Sequence, residues 1–208
     1  MVIIGAGGLA SEILEILLEK YSSSEIFFFD DVNHHNNNLF FGKYPILTSV
    51  EEVETHFRIN NDFKFCIGVG GVKNRINLVS KFEKIGGKLT SIISSQAYVS
   101  THNVAIEDGV VIMPGVKISN NVKIGKCSLI YYNSVITHDC QINKFCEVSP
   151  SVNVLGRVKI FDNVLIGSNS TILPDIVVES EAVIGAGSVV TRNVKRGMIV
   201  LGIPAKSK

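Results

Sequence analysis

The sequence predicts an α/β domain over residues 1–92 followed by an all-β parallel helix of short strands over residues 93–208. Three observations predict it. An aliphatic residue recurs every six positions from Ile106 to Val190 without a slip. Before residue 92, strand-like runs alternate with amphipathic helix patterns. Hydrophobic residues make up 46% of the 208-residue chain, enough to bury a core.

Taken in chain order, "VIIGAGG" (2–8) reads as a buried strand entering a Gly-rich turn. "LASEILEILLEKY" (9–21) sets Ile13, Leu14, Leu17 and Leu18 on one helical face. "EIFFFDD" (25–31) is a second strand, "VNHHNNNLFFGKYP" (32–45) a polar loop, and "FKFCIGVGG" (63–71) a third strand. "VKNRINLVSKFEKIGG" (72–87) is a helix closed by a Gly pair, and "KLTSII" (88–93) is the last strand. Such alternation gives a small parallel sheet with helices on its faces.

Ligands of such sheets bind beyond the carboxyl ends of the strands. Gly5-Ala6-Gly7-Gly8, Asp30-Asp31 and Gly68–Gly71 gather there. Glycines allow a phosphate to approach the backbone, and a carboxylate after the second strand suits ribose hydroxyls or a base. Ala10 fills the last position of an incomplete GxGxxG, so the motif alone does not specify a dinucleotide. Tight turns with no ligand are the competing reading.

The second half has a period that fits neither a helix nor a plain strand, so each unit must contain a turn. In "VKI" (122–124) Val122 and Ile124 share a face and Lys123 points away. Corners such as Leu155-Gly156-Arg157 then join three six-residue sides into a coil of about eighteen residues, giving about five coils and roughly 24 Å of height. Four residues after each repeat aliphatic stands Val, Ser, Cys, Ile or Ala. Val111, Val135, Leu165, Val183 and Val189 point outward, which suggests an interface on a flat face.

Composition narrows the function. Twenty basic and nineteen acidic residues give a formal charge of +1, and Trp is absent, so neither a nucleic-acid partner nor an anionic membrane surface is indicated. No apolar run is long enough to insert into a membrane, and "MVIIGAGGLA" lacks the basic start of a signal peptide. The four cysteines form no CxxC pair. They read as small buried residues of a reducing, cytoplasmic compartment, three of them on a repeat position shared with Ser and Val.

His138, in "ITHDC", is the one histidine of the last hundred residues. By register it belongs to a corner and points outward, with Asn120 and Gly156 one coil away on either side. The glycine is expected to leave space for a substrate. An imidazole accepts a proton near neutral pH, and a carboxylate such as Asp139 at its other nitrogen fixes the tautomer. The bland alternative is an exposed corner histidine with no role.

The motifs "IIGAGG", "FFFDD", "IGVGGVKNR", the hexapeptide run, "THDC" and "GIPAK" together resemble the sugar O- and N-acyltransferases of the sialic-acid O-acetyltransferase and bacillosamine-type N-acetyltransferase group. The resemblance covers nearly the whole chain. It implies a Rossmann-like nucleotide-sugar domain, then a left-handed parallel β-helix of hexapeptide repeats, and a homotrimer. It also implies His138 as general base held by Asp139, and acetyl-CoA, the acyl donor substrate, in the groove between two subunits against Glu147, Ser168 and Ala186. The nucleotide sugar would meet Gly7, Gly8, Leu9, Asp30, Asp31 and Gly70. Leu9, Tyr131 and Glu147 depart from the family, which usually has His, Asn and His there.

The expected activity is N-acetyl transfer from acetyl-CoA to a nucleotide-linked amino sugar for a surface glycan, with no metal. O-acetylation of sialic acid or a related sugar is the alternative in the same class. A non-catalytic sugar-nucleotide-binding scaffold is the alternative outside it. A zinc carbonic anhydrase on the same solenoid would need about three histidines around the metal, where the repeat region offers His138 with His102 just before it. Arg192, Lys195, Arg196, Lys206 and Lys208 near the end would suit CoA phosphates or a solvated tail equally.

Overall fold

The computed structural model describes residues 1–33 and 35–208, which divide into two compact units, Met1–Ile92 and Ile93–Lys208. In the first, β1 (Val2–Ile4), α1 (Gly8–Leu17), β2 (Phe27–Phe29), β3 (Leu39–Phe40), β4 (Tyr44–Leu47), α2 (Val50–Asn60), β5 (Lys64–Ile67), α3 (Val72–Lys84) and β6 (Lys88–Leu89) follow in order. The sheet order is β3-β4-β2-β1-β5-β6, parallel except for the β3–β4 pair. Its central strands carry continuous apolar runs, as strands covered on both faces do. Ile3, Phe28 and Phe65 are fully buried, and Phe29 meets Phe82 of α3 edge-on at 4.9 Å.

Three expectations for this unit need correction. The segment expected as one polar loop contains β3 and the start of β4, because Leu39-Phe40 and Tyr44–Leu47 are short apolar runs that fold back on each other about Gly42. His34 of that segment lies outside the described residues. Helix α2 was not anticipated, although Ser49 and Glu52 carry a capping signal. The Ser49 hydroxyl accepts from Glu52 N–H at 3.2 Å, and the Glu52 carboxylate accepts from Thr48 N–H at 2.7 Å. Leu18 is exposed as the C-cap of α1, and Ile16 takes its place in the core with Ile13, Leu14 and Leu17.

The second unit is a three-faced parallel helix of two-residue strands, with Cα partners eighteen residues apart, as Val111 with Leu129 and Lys117 with Val135, and it ends in an antiparallel pair, Ile199–Leu201 with Lys206–Ser207. The repeat aliphatics fill the interior, Ile112, Ile130 and Val148 being fully buried. The position four residues on is interior as well. Ser128, Ser134 and Ser170 there donate to carbonyls of the next coil at 2.7–2.9 Å, and the thiols of Cys140 and Cys146 do the same at 3.1 and 3.0 Å. A hydroxyl or thiol is tolerated in this apolar column because its hydrogen is satisfied.

All four cysteines are buried and none is in a disulfide. Only Cys140 and Cys146 occupy the expected interior position. Cys127 sits one residue earlier, in the corner, with φ +56°. That position is left-handed at every corner from Asn103 to Gly187: Asn103, Asn121, Asn133, Asp139, Asn163, Asn169 and Asp175 have φ of 53–65°, glycines stand at Gly109, Gly115 and Gly187, and Phe145, Ser151, Arg157 and Glu181 fill the rest. Gly, Asn and Asp enter this region at least cost, so they mark the corner where the chain turns.

One outward valine is misplaced. Val111 is 4% exposed beside Leu129, which is 2% exposed on the adjacent coil, so it adds nothing to an open face. Val135, Leu165, Val183 and Val189 are half-buried on the surface.

Candidate active site

His138 occupies the corner between the strand pair Val135–Ile136 and the next side, and its side chain is 47% exposed. Asp139 follows in the left-handed corner conformation, φ +62°, which turns its carboxylate back toward the ring. The His138 Nδ1 to Asp139 Oδ2 distance is 2.6 Å. Hydrogen bonds from His138, then from Asn121, hold the Asp139 carboxyl below its usual range. An ionised carboxylate can only accept, so Nδ1 carries the proton and Nε2 is left as a base.

The space at Gly156 is not open to a substrate as expected. A Cβ there would lie 2.8 Å from His138 Cε1 and 3.0 Å from Nε2. The imidazole packs over the glycine, which serves as the ring's floor. The corner backbone is fixed from both sides, Asp139 N–H donating to Asn120 O and Arg157 N–H to His138 O, each at 3.1 Å.

Ser168 and Ala186 lie one coil apart on a different edge, where Gly187 N–H donates to Ser168 O at 2.8 Å. Gly167 lets this edge pack closely, since a Cβ on it would stand 2.5 Å from Ala186 N. Glu147 is half-buried on the outward side of the face that carries Val111, Leu129 and Leu165, in register between the last two. A single chain therefore separates the His138 edge from the Ser168–Ala186 edge by one side of the prism, at most roughly 20 Å, the reach of six extended residues.

In the first unit, Gly7, Gly8, Leu9, Asp30, Asp31 and Gly70 all line one cavity of about 630 Å³. Gly7 caps the N-terminus of α1, and nothing lies within 4 Å of a Cβ on Gly7, Gly8 or Gly70. Gly5 and Gly68 serve packing instead. A Cβ on Gly68 would meet Ile3 at 2.7 Å and Ala10 at 2.9 Å, and Gly5 has φ +114° against Val69. Asp30 organises its own loop, accepting from the N–H groups of Val32 and Asn33, from the Asn33 amide and from His35 Nε2 at 2.9–3.0 Å. Burial pushes its carboxyl upward, but these bonds together outweigh burial and bring it down to about 2. Asp31 pairs with Lys81 Nζ at 2.9 Å.

Comparison with known proteins fits this architecture. Residues 1–82 match the PglD N-terminal domain, and residues 103–138 and 157–192 match the bacterial transferase hexapeptide (six repeats). The acetyltransferase domain of PglB from Neisseria gonorrhoeae FA1090 is 26% identical over 100% of this chain and 98% of that one, with a TM-score of 0.88. PerB from Caulobacter crescentus, solved with CoA and GDP-perosamine, is 25% identical over 100% and 96%, with a TM-score of 0.86. WeeI from Acinetobacter baumannii AYE is 25% identical over 100% and 98%, with a TM-score of 0.89. No curated protein matches. The chain is an acyltransferase that carries hexapeptide repeats.

The acyltransferase thus joins a Rossmann-like PglD-type domain to a left-handed β-helix. Tyr131 stacks obliquely on Tyr132, ring centroids 6.1 Å apart. The cavity wall includes Asn74, Asn77 and Lys81 of α3, which sequence reasoning missed. Their i, i+3, i+7 spacing places them on one helical stripe, so the polar face of "VKNRINLVSK" was the available signal. Of the basic residues near the end of the acyltransferase, Lys195 and Arg196 are already paired, with Glu179 and Glu181. No described group of three or more His, Cys, Asp or Glu side chains is placed to hold a metal. No helix among the described residues is long and apolar enough to cross a membrane.

Proposed function

We propose that the acyltransferase moves the acetyl group of acetyl-CoA to the amine of a nucleotide-linked amino sugar destined for a surface glycan, with His138 as general base. The observation that carries this reading is the His138–Asp139 pair, whose free Nε2 lies on an exposed edge of the β-helix. In the reaction, Nε2 takes the proton of the amine as nitrogen attacks the thioester carbon. The tetrahedral intermediate then expels the CoA sulfur, which leaves as the thiol after receiving a proton from the imidazolium. Asp139 keeps the ring in the Nδ1–H tautomer and stabilises the cation while it exists.

The cavity of the PglD-type domain supports a nucleotide-linked acceptor. Open glycines at a helix N-terminus suit a pyrophosphate, and Asp31 suits a ribose hydroxyl. Acetyl-CoA is assigned to Glu147, Ser168 and Ala186 of a neighbouring subunit in a homotrimer. This assembly is supported by the distance between the two edges within one chain and by half-buried Val135, Leu165, Val183 and Val189 on the faces. The solved relatives include one bound to acetyl-CoA and one bound to CoA with GDP-perosamine. A cytoplasmic setting accords with four buried cysteines held as thiols.

The test is thiol release from acetyl-CoA with a panel of UDP-, GDP- and dTDP-amino sugars. Turnover on one of them, with an amide in the product, supports the reading. Turnover only on sugars that offer hydroxyls would move the assignment to O-acetylation. Tight binding without any turnover would make the protein a sugar-nucleotide-binding scaffold.

A further inference from the structure

Asp139 is not held by His138 alone. Its other oxygen, Oδ1, accepts from the Asn121 amide nitrogen at 2.9 Å, and Asn121 Oδ1 accepts in turn from the Asn103 amide nitrogen at 2.9 Å. The three residues occupy the left-handed corner of successive coils, with φ of 53°, 56° and 62°. The backbone spaces them one coil apart, Asn121 N–H donating to His102 O and Asp139 N–H to Asn120 O at 3.1 Å. On the following coils Arg157 pairs with Asp175, its Nε 2.6 Å from Asp175 Oδ1. The result is one line of polar side chains down a single edge, with the His138 ring attached at its middle.

The chemistry of this line is directional. A carboxylate with one oxygen bound only to His138 can rotate about its Cβ–Cγ bond, and then Nδ1 loses its partner. Donation from Asn121 to Oδ1 fixes the carboxylate plane, so Oδ2 faces Nδ1. The Asn121 amide is itself oriented, because its oxygen is occupied by Asn103 and only its NH₂ faces Asp139. We infer that Asn121, buttressed by Asn103, is a positioning residue for the base: it locks Asp139 and thereby holds His138 in the tautomer that leaves Nε2 unprotonated. This rests on the assignment of His138 as base. The charged or titratable groups facing the pair are Arg157 and its partner Asp175 on the coils to one side, with the buried Cys140 thiol beneath. On the other side His102 stands two coils away along the His138 column.

A left-handed corner also prefers Asn for backbone reasons, and the test must separate the two roles. Asn121→Gly removes the amide and keeps the backbone conformation, since Gly takes positive φ freely. Asn163→Gly makes the same change at φ +64° on a different edge and serves as the control. Nitrogen-15 NMR of the His138 ring reads the tautomer without any substrate. Asn121→Gly is expected to move the ring from Nδ1–H to a mixture, and to lower kcat about tenfold with the nucleotide-sugar KM unchanged. Asn163→Gly should change neither. An unchanged tautomer and kcat in Asn121→Gly, while His138→Ala is inactive, would overturn the inference and leave the base assignment standing. Full activity of His138→Ala would overturn the base assignment, and the inference with it.

Discussion

Gly156→Ala tests the placement of the base without touching any ionisable group. Gly156 is not at positive φ, so alanine brings no backbone strain. Its methyl would lie 2.8 Å from His138 Cε1 and 3.0 Å from Nε2, against about 3.5–4.0 Å for unstrained carbon contacts. The three atoms nearest that methyl all belong to the ring, which must therefore move by about 0.7–1 Å. A displacement of about 1 Å at a reacting group costs about 100-fold in rate. The assay is steady-state thiol release with the best amino-sugar substrate, alongside thermal unfolding. We expect kcat to fall about 100-fold, with Tm and the nucleotide-sugar KM close to wild type. Wild-type kcat in a folded Gly156→Ala protein would refute the geometry on which the mechanism stands.

Other consequences can be checked by stability. Asp30, 7% exposed and held at about 2 against its ordinary 3.8, has a depressed pKa, so its contribution is present above pH 3.8 and is lost as pH falls through 2. Urea unfolding should show Asp30→Ala about 2 kcal/mol less stable than wild type at pH 7, with the gap closing near pH 2. Cys140→Ser should fold with a stability change of about 1 kcal/mol or less, because serine fills the equivalent interior position at Ser134 and Ser170 and finds a carbonyl there. Cys140→Leu should cost about 1–3 kcal/mol through overpacking. Ser151 holds φ +59°, and Ser151→Asn should raise the urea midpoint, corresponding to about 0.5 kcal/mol.

Much of the β-helix was legible because its period is carried by interior residues, whose burial tolerates only aliphatics and small groups. The corner signal was present too and went unread. Asn, Asp or Gly recurs at the third residue after most repeat aliphatics, and it would have assigned Cys127 to a corner and linked Asn121 with Asp139. In the first unit the strands buried on both faces announced themselves by composition, whereas β3 and β4 are two and four residues long and sit amid asparagines. Helix α2 was hidden by its polarity, with only Val53, His56 and Phe57 buried, although its Ser49–Glu52 cap was readable. At the site, the sequence register placed His138 outward, but it could not show that the ring itself fills the room above Gly156. That depends on a rotamer fixed by Asp139, a side-chain contact that no periodicity encodes.

The most direct measurement is kcat of His138→Ala with acetyl-CoA and the preferred nucleotide amino sugar, taken together with the affinity for that sugar nucleotide. Removal of the base should lower kcat by about 10²- to 10⁴-fold while binding in the PglD-type domain is retained. Undiminished kcat would contradict the account.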